Sequence, residues 1–239
     1  MALGLFFVLV GVERLMLSDR WPRLNSVRRH WHHWTPKVKA YIRSAPGTFT
    51  YLFVLMITTW VLQTSSSRIA DQLLLARSTN LRHLLRDPTR VLFASAFWVS
   101  SSQELLFAII LFASIAAQVE RWLGTSRTII FFFIGHVGAT LLVALWLWES
   151  VHFTDLATPV TNAQDVGASY GFLALAAVLA YRISFPKRWL YMVFGCAVVG
   201  INLAVQPSFT NWGHLLALGI GFACYFFVPR RLRSSTAKR

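Results

Sequence analysis

Ser169 and His214 are the residues of this 239-residue chain whose types and positions together suit chemistry. Ser169 stands in Gly167-Ala168-Ser169-Tyr170-Gly171 and His214 in Asn211-Trp212-Gly213-His214, each a few residues inside a long apolar run. An ionisable ring and a glycine-flanked hydroxyl are costly in a membrane span, and residues of this kind mark function ahead of packing. If both runs enter the bilayer from the same side, serine and imidazole lie at similar depth. The imidazole then takes the serine proton and the serine oxygen attacks a carbonyl, as in any activated acyl-transfer nucleophile. That is the layout of a serine protease sunk in a bilayer. In soluble hydrolases Gly-x-Ser-x-Gly marks a strand-to-helix elbow, and no strand pattern precedes it here.

The elements that must position this pair are membrane helices. The chain is 56% hydrophobic and only 13% charged, with a mean hydropathy of +0.53; soluble globules carry about 25% charged residues. Apolar runs fall at about 46–65, 104–120, 127–148, 166–183, 189–205 and 209–228, each close to the roughly 20 residues a spanning helix needs. The expectation is an all-α membrane protein of six spans, residues 46–228, between a basic segment (1–45) and a basic tail (229–239). Leu173, Ala176, Ala177 and Ala180 follow Ser169 at roughly helical spacing, while Ala217, Leu218 and Gly221 share a face with His214. Small faces of this kind let two spans approach closely.

The net charge of +14 is explained by where the cations fall. Eighteen of the 23 lie before span one, between spans two and three, between four and five, or after span six. The other five (Arg68, Arg77, Arg82, Arg86 and Arg90) all sit in the first connection. By the positive-inside rule both termini are cytoplasmic. The excess reads as topology plus attraction to anionic lipid, not as a nucleic-acid surface.

Residues 1–12 are apolar but too short to span, and without a small-residue cleavage site they make a poor signal peptide. Arg28-Arg29-His30-Trp31-His32-His33-Trp34 reads as a headgroup-level anchor. Its histidines have no carboxylate or cysteine nearby, so no metal site is expected. Cys196 and Cys224 read as apolar packing. In the first connection, Ser78-Thr79-Asn80 caps a short helix and Asp87-Pro88 starts another, so the loop folds against the bundle mouth. His136, in Gly135-His136-Val137-Gly138 near mid-membrane, is expected to donate to a neighbouring helix.

Several local patterns combine: six spans with both ends cytoplasmic, a long first outer loop ending in Arg90-Val91-Leu92-Phe93-Ala94-Ser95-Ala96-Phe97, and Val119-Glu120-Arg121-Trp122-Leu123-Gly124 closing span two. Gly167-Ala168-Ser169 and His214 followed by Ala217 and Gly221 complete the set. On these residues the chain resembles the rhomboid family of intramembrane serine proteases. The resemblance implies a six-transmembrane-helix rhomboid-like bundle, Ser169 as nucleophile and His214 as base without an aspartate. It also implies no cofactor, and single-span membrane substrates cut near the membrane surface.

The departures are specific. Where active rhomboids carry a histidine and, four residues on, an asparagine on span two to hold the oxyanion, this chain reads Glu104 and Ala108. Thr89-Arg90 replaces the usual Trp-Arg. Tyr170 follows the serine where glycine is common, and Leu173 stands where a tyrosine is usual. Ala108 has no donor and an ionised Glu104 repels negative charge, whereas a protonated Glu104 donates to an oxyanion. Gly167, Tyr170 and Asn211 are the further pocket candidates, with Gln103 and Ser100-Ser101-Ser102 nearby. Two functions are therefore carried forward: a divergent intramembrane protease, and an inactive rhomboid-like protein that binds membrane clients or serves as a subunit of a membrane complex. The unpaired thiols and basic inner face fit a bacterial plasma membrane.

Overall fold

The computed structural model describes residues 25–79, 81–153 and 166–232. The apolar stretch 1–12 and the outer-loop acids Asp155 and Asp165 lie outside them. Every described element is helical.

Helix α1 (Asn25–Arg43) is amphipathic and carries Pro36 within it. On its polar side Lys37 Nζ lies 2.8 Å from His33 Nε2 and sits over the Trp34 ring. Helix α2 (Pro46–Thr64) starts with proline in its first turn, where the missing N–H costs nothing. The expected cap at Ser78-Thr79-Asn80 includes Asn80, which lies outside the described residues, and the long first connection is folded, as expected. It contains α3 (Ser67–Arg77), α4 (Leu81–Arg86) and α5 (Pro88–Ala94), with Asp87 accepting from Arg90 N at 3.4 Å and a 3-10 turn over Ser95–Phe97. Leu84, Val91 and Leu92 are buried together against Val137 and Ala144.

The second spanning helix runs as α6 (Ser102–Leu111), a π-helical turn (Phe112–Ala116) and α7 (Ala117–Leu123). A π turn frees backbone carbonyls from the regular ladder, and here the Ala113 carbonyl accepts from Tyr41 Oη at 2.7 Å. Gly124 ends α7 with φ +85°, a conformation open to glycine at little cost. Helix α8 (Thr125–Phe153) follows at once, then α9 (Ser169–Leu179) with a 3-10 turn to Arg182, α10 (Lys187–Val205), and α11 (Phe209–Ala223) with a 3-10 turn to Phe227.

Four of the described helices are long and apolar enough to cross a membrane: Pro46–Thr64, Ser102–Leu123, Thr125–Ser150 and Lys187–Val205. The expected sixth run, 209–228, is helical over Phe209–Ala223 and is not among these four, and neither is the expected fourth run, 166–183. Its apolar helix extends only over Ser169–Arg182. The physical reason is its position. Tyr170, Gly171, Phe172, Ala174, Leu175, Ala177 and Val178 are all buried, and α9 packs mainly between α8 and α11. A helix walled by protein does not have to match the hydrocarbon thickness. By contrast α10 buries only Val199 and turns Cys196 outward, while Cys224 is buried.

Close approach around α9 depends on absent side chains. A Cβ added at Gly221 would stand 2.4 Å from the Ala174 carbonyl oxygen and 2.6 Å from Ala177 Cβ. One added at Gly135 would stand 2.1 Å from Ala174 Cβ. Ala174 and Ala177 thus take the close approach of Gly135 and Gly221, and of these the small face read from sequence named only Ala177. Gly221→Val is expected to destabilise the bundle by about 1–3 kcal/mol through overpacking, measured as a lower unfolding midpoint in detergent. An unchanged midpoint would mean that α9 and α11 are not held this closely.

Candidate active site

Ser169 is the first residue of α9 and is exposed. Two residues earlier Gly167 has φ +138°, a region that L side chains rarely adopt, and its N–H donates to the Ser95 carbonyl at 3.1 Å. This turn anchors the chain to the first connection immediately before the helix begins. The α9 ladder opens with Phe172 N donating to Ala168 O at 2.9 Å.

His214 is positioned by the other half of the site. The tight connection 206–208 ends at Ser208, whose hydroxyl accepts from Asn211 N at 3.2 Å and caps α11. Residues three apart on a helix share a face, so Asn211 and His214 meet: Asn211 Oδ1 lies 3.1 Å from His214 Nδ1. The other imidazole nitrogen, Nε2, lies 2.9 Å from Ser169 Oγ.

The proton positions follow from the donor inventory. The Asn211 amide NH2 donates to the Gln206 carbonyl at 2.8 Å and the Asn202 carbonyl at 3.4 Å, which turns Oδ1 toward the ring. An amide oxygen only accepts, so Nδ1 of a neutral imidazole carries the hydrogen and Nε2 presents its lone pair to Ser169 Oγ–H. A serine, a base in the correct tautomer and an amide that orients the base form one chain of contacts. Chemically, such an arrangement can activate a serine oxygen as a nucleophile, here at the exposed end of a buried helix.

Tyr170 backs the arrangement. Its ring is 3% exposed and meets His214 edge-on at 5.4 Å. A Cβ at Gly213 would stand 2.4 Å from the Tyr170 hydroxyl oxygen. Glycine at 213 therefore makes room for the ring that supports the imidazole. A small recess beside Ser169 is lined by Thr79, His136, Val166, Gly167 and Tyr170.

The candidates read from sequence thus fall in different places. Ser169, His214, Gly167, Tyr170 and Asn211 gather around one point. Asn211 sits behind the imidazole, on Nδ1, and Tyr170 packs beneath it. Glu104 is held at the start of α6: its N–H donates to the N-cap Ser101 Oγ at 3.1 Å and its Oε2 accepts from Ser100 N at 2.9 Å. A carboxylate is well placed there, against the positive end of a helix. The asparagine's orienting contact was missed at the sequence level, although its spacing of three from His214 is the signal that reveals it. The second serine–imidazole contact, Ser95 Oγ to His136 Nε2 at 3.0 Å in the interior, joins residues 41 positions apart, and no local pattern marks it.

A family model described as rhomboid-like protein matches residues 40–234. Comparison with curated proteins and with solved structures gives no match.

Proposed function

We propose, for a chain that belongs to the rhomboid-like protein family, that it is an intramembrane serine protease cleaving single-span membrane proteins. The reading is carried by the contact series Ser169–His214–Asn211. His214 Nε2 takes the Ser169 proton as Oγ bonds to the scissile carbonyl carbon and the carbonyl π pair moves onto oxygen. Collapse of that intermediate breaks the C–N bond, and the imidazolium returns the proton to the departing amine. Water then attacks the acyl carbon, again losing its proton to Nε2, and Ser169 leaves as the hydroxyl with the carboxylic acid product.

In this reading the short helix α9 and helix α11 complete a set of six spans, with both termini in the cytoplasm of a plasma membrane. The distribution of cations supports that orientation. The lipid-facing α10 borders the site, since its Asn202 carbonyl accepts from Asn211.

One observation favours the second reading, an inactive rhomboid-like protein that holds membrane clients or joins a membrane complex. Glu104 is held at the start of its own helix and Ala108 bears only a methyl group. The two functions separate on covalent labelling of the purified protein in nanodiscs by a fluorophosphonate probe. Labelling of folded wild type is expected; its absence would leave the client-binding reading. Asn211→Ala is expected to slow the labelling rate constant by about 10–100-fold, less than an aspartate orienter because the amide carries no charge. An unchanged rate would show that the tautomer is held without it.

A further inference from the structure

Acyl transfer needs hydrogen-bond donors where the carbonyl oxygen becomes negative, and removing one such donor slows the reaction by about 10²–10³-fold. Ala108 has no donor and the Glu104 carboxylate accepts at its own helix start, so neither of these two positions on span two supplies one. The recess beside Ser169 has His136 of α8 in its wall.

His136 is 2% exposed, and its ring lies parallel to Phe132 with centroids 6.1 Å apart. Nε2 is engaged by Ser95 Oγ at 3.0 Å, while Nδ1 has no hydrogen-bond partner among the described residues. A buried polar atom without a partner is uncommon and calls for an explanation. Ser95 also ties this ring to the nucleophile. Its hydroxyl contacts His136 Nε2 and its carbonyl accepts from Gly167 N, two residues before Ser169. The imidazole and the turn that carries Ser169 are therefore held on one residue. Ser95 Oγ lies 3.0 Å from Nε2 and 3.5 Å from the Leu92 carbonyl, so its one hydrogen has two acceptors. When it goes to Nε2, the nearer, the neutral ring bears its hydrogen on Nδ1, the form in which Nδ1 donates.

We propose that His136 is a catalytic residue, its Nδ1–H stabilising the oxyanion together with the first-turn amides of α9. This inference rests on the protease reading of Ser169 and His214. As Ser169 Oγ bonds to the carbonyl carbon, the carbonyl oxygen takes the electron pair and accepts the His136 hydrogen bond. No proton leaves His136, and the bond loosens when the carbonyl re-forms. A neutral imidazole acting as a hydrogen-bond donor to a developing oxyanion is sound chemistry, and burial favours it because fixed donors act more strongly where water is excluded. The helix start contributes as well, since its amides precede the first intrahelical bond.

The experiment uses full-length protein in nanodiscs and a fluorophosphonate probe, whose phosphoryl oxygen occupies the oxyanion position. The saturating labelling rate and the half-saturating probe concentration are read for wild type, His136→Leu, His136→Phe, His136→Gln and Thr140→Val. Thr140, one turn further along α8, is likewise buried with an unpartnered hydroxyl but does not line the recess, so it controls for the loss of a buried polar group. Two apolar replacements guard against a folding defect in either one, Phe being able to stack on Phe132 in the imidazole's place.

His136→Leu and His136→Phe are expected to lower the saturating rate by about 100-fold with the half-saturating concentration unchanged. His136→Gln, which keeps a donor, should recover at least a tenth of the wild-type rate, and Thr140→Val should match wild type. The assignment is overturned if the apolar variants label at the wild-type rate, or if they and Thr140→Val lose rate and unfolding midpoint in parallel. Folded wild type that does not label overturns the protease reading itself, and this inference with it.

Discussion

Ser169→Ala and His214→Ala should each reduce cleavage of a single-span membrane substrate by about 10³-fold or more, and the double variant should be no worse than either alone. Residues acting as one unit lose nearly everything when either is removed, so their effects do not add. The geometry behind this expectation is the 2.9 Å contact between Nε2 and Oγ, together with an orienting amide that leaves Nε2 without a hydrogen of its own. Neither side chain supports the core. Ser169 is exposed and His214 is half-buried, so both variants should keep the wild-type unfolding midpoint. Initial cleavage rates and midpoints measured on the same preparations check this. A Ser169→Ala protein that cleaves at more than a tenth of the wild-type rate would remove Ser169 from the mechanism.

The largest effect on stability is expected at Glu120. Its carboxylate is 3% exposed and accepts four hydrogen bonds: from Gly47 N at 2.8 Å, from Thr48 N and Thr48 Oγ1 at 2.7 Å, and from Thr125 Oγ1 at 2.7 Å. It thereby caps α2 from a neighbouring span and fastens the start of α8 at the same point. The amides at a helix start have no partner within their own helix, and the burial of this site leaves little water to replace the carboxylate. Glu120→Ala strands four donors, and removing one side of such a buried charged network costs about 3–5 kcal/mol. Glu120→Gln should recover only part of that, because its NH2 group would face donors. The space is matched to the carboxylate, since a Cβ at Gly47 would lie 3.0 Å from Glu120 Oε1. Reversible unfolding in mixed micelles measures the difference. A loss below about 1 kcal/mol, the scale of an exposed pair, would show that α2 finds its caps elsewhere.

The two expectations are independent in space. Glu120 stitches together α2, α7 and α8 at one end of the bundle, while Ser169 and His214 join α9 to α11 through the turns that begin those helices. A stability defect at Glu120 therefore serves as a reference for the active-site variants, since it should lower the midpoint without changing which residue is labelled.

Sequence alone determined the membrane-helical character, the family resemblance and the choice of Ser169 and His214. Hydropathy, charge asymmetry and helical spacing are local sums along the chain, and each is readable without knowing what packs where. The Asp87 cap in the first connection and the positive-φ stop at Gly124 were legible for the same reason. Other properties belong to contacts between distant segments, and only the tertiary structure decided them. The run at 166–183 became a short helix because α8 and α11 enclose it. Asn211 came to face its Oδ1 to the His214 ring because the carbonyls of Gln206 and Asn202 claim its NH2 group, while Glu104 turned to its own helix start because unpaired amides wait there. The contact of His136 with Ser95, and through Ser95 with the turn before Ser169, appears only when α8 packs beside the first connection: a hydrogen bond depends on a few ångströms and one rotamer, and residue order along the chain does not encode either directly.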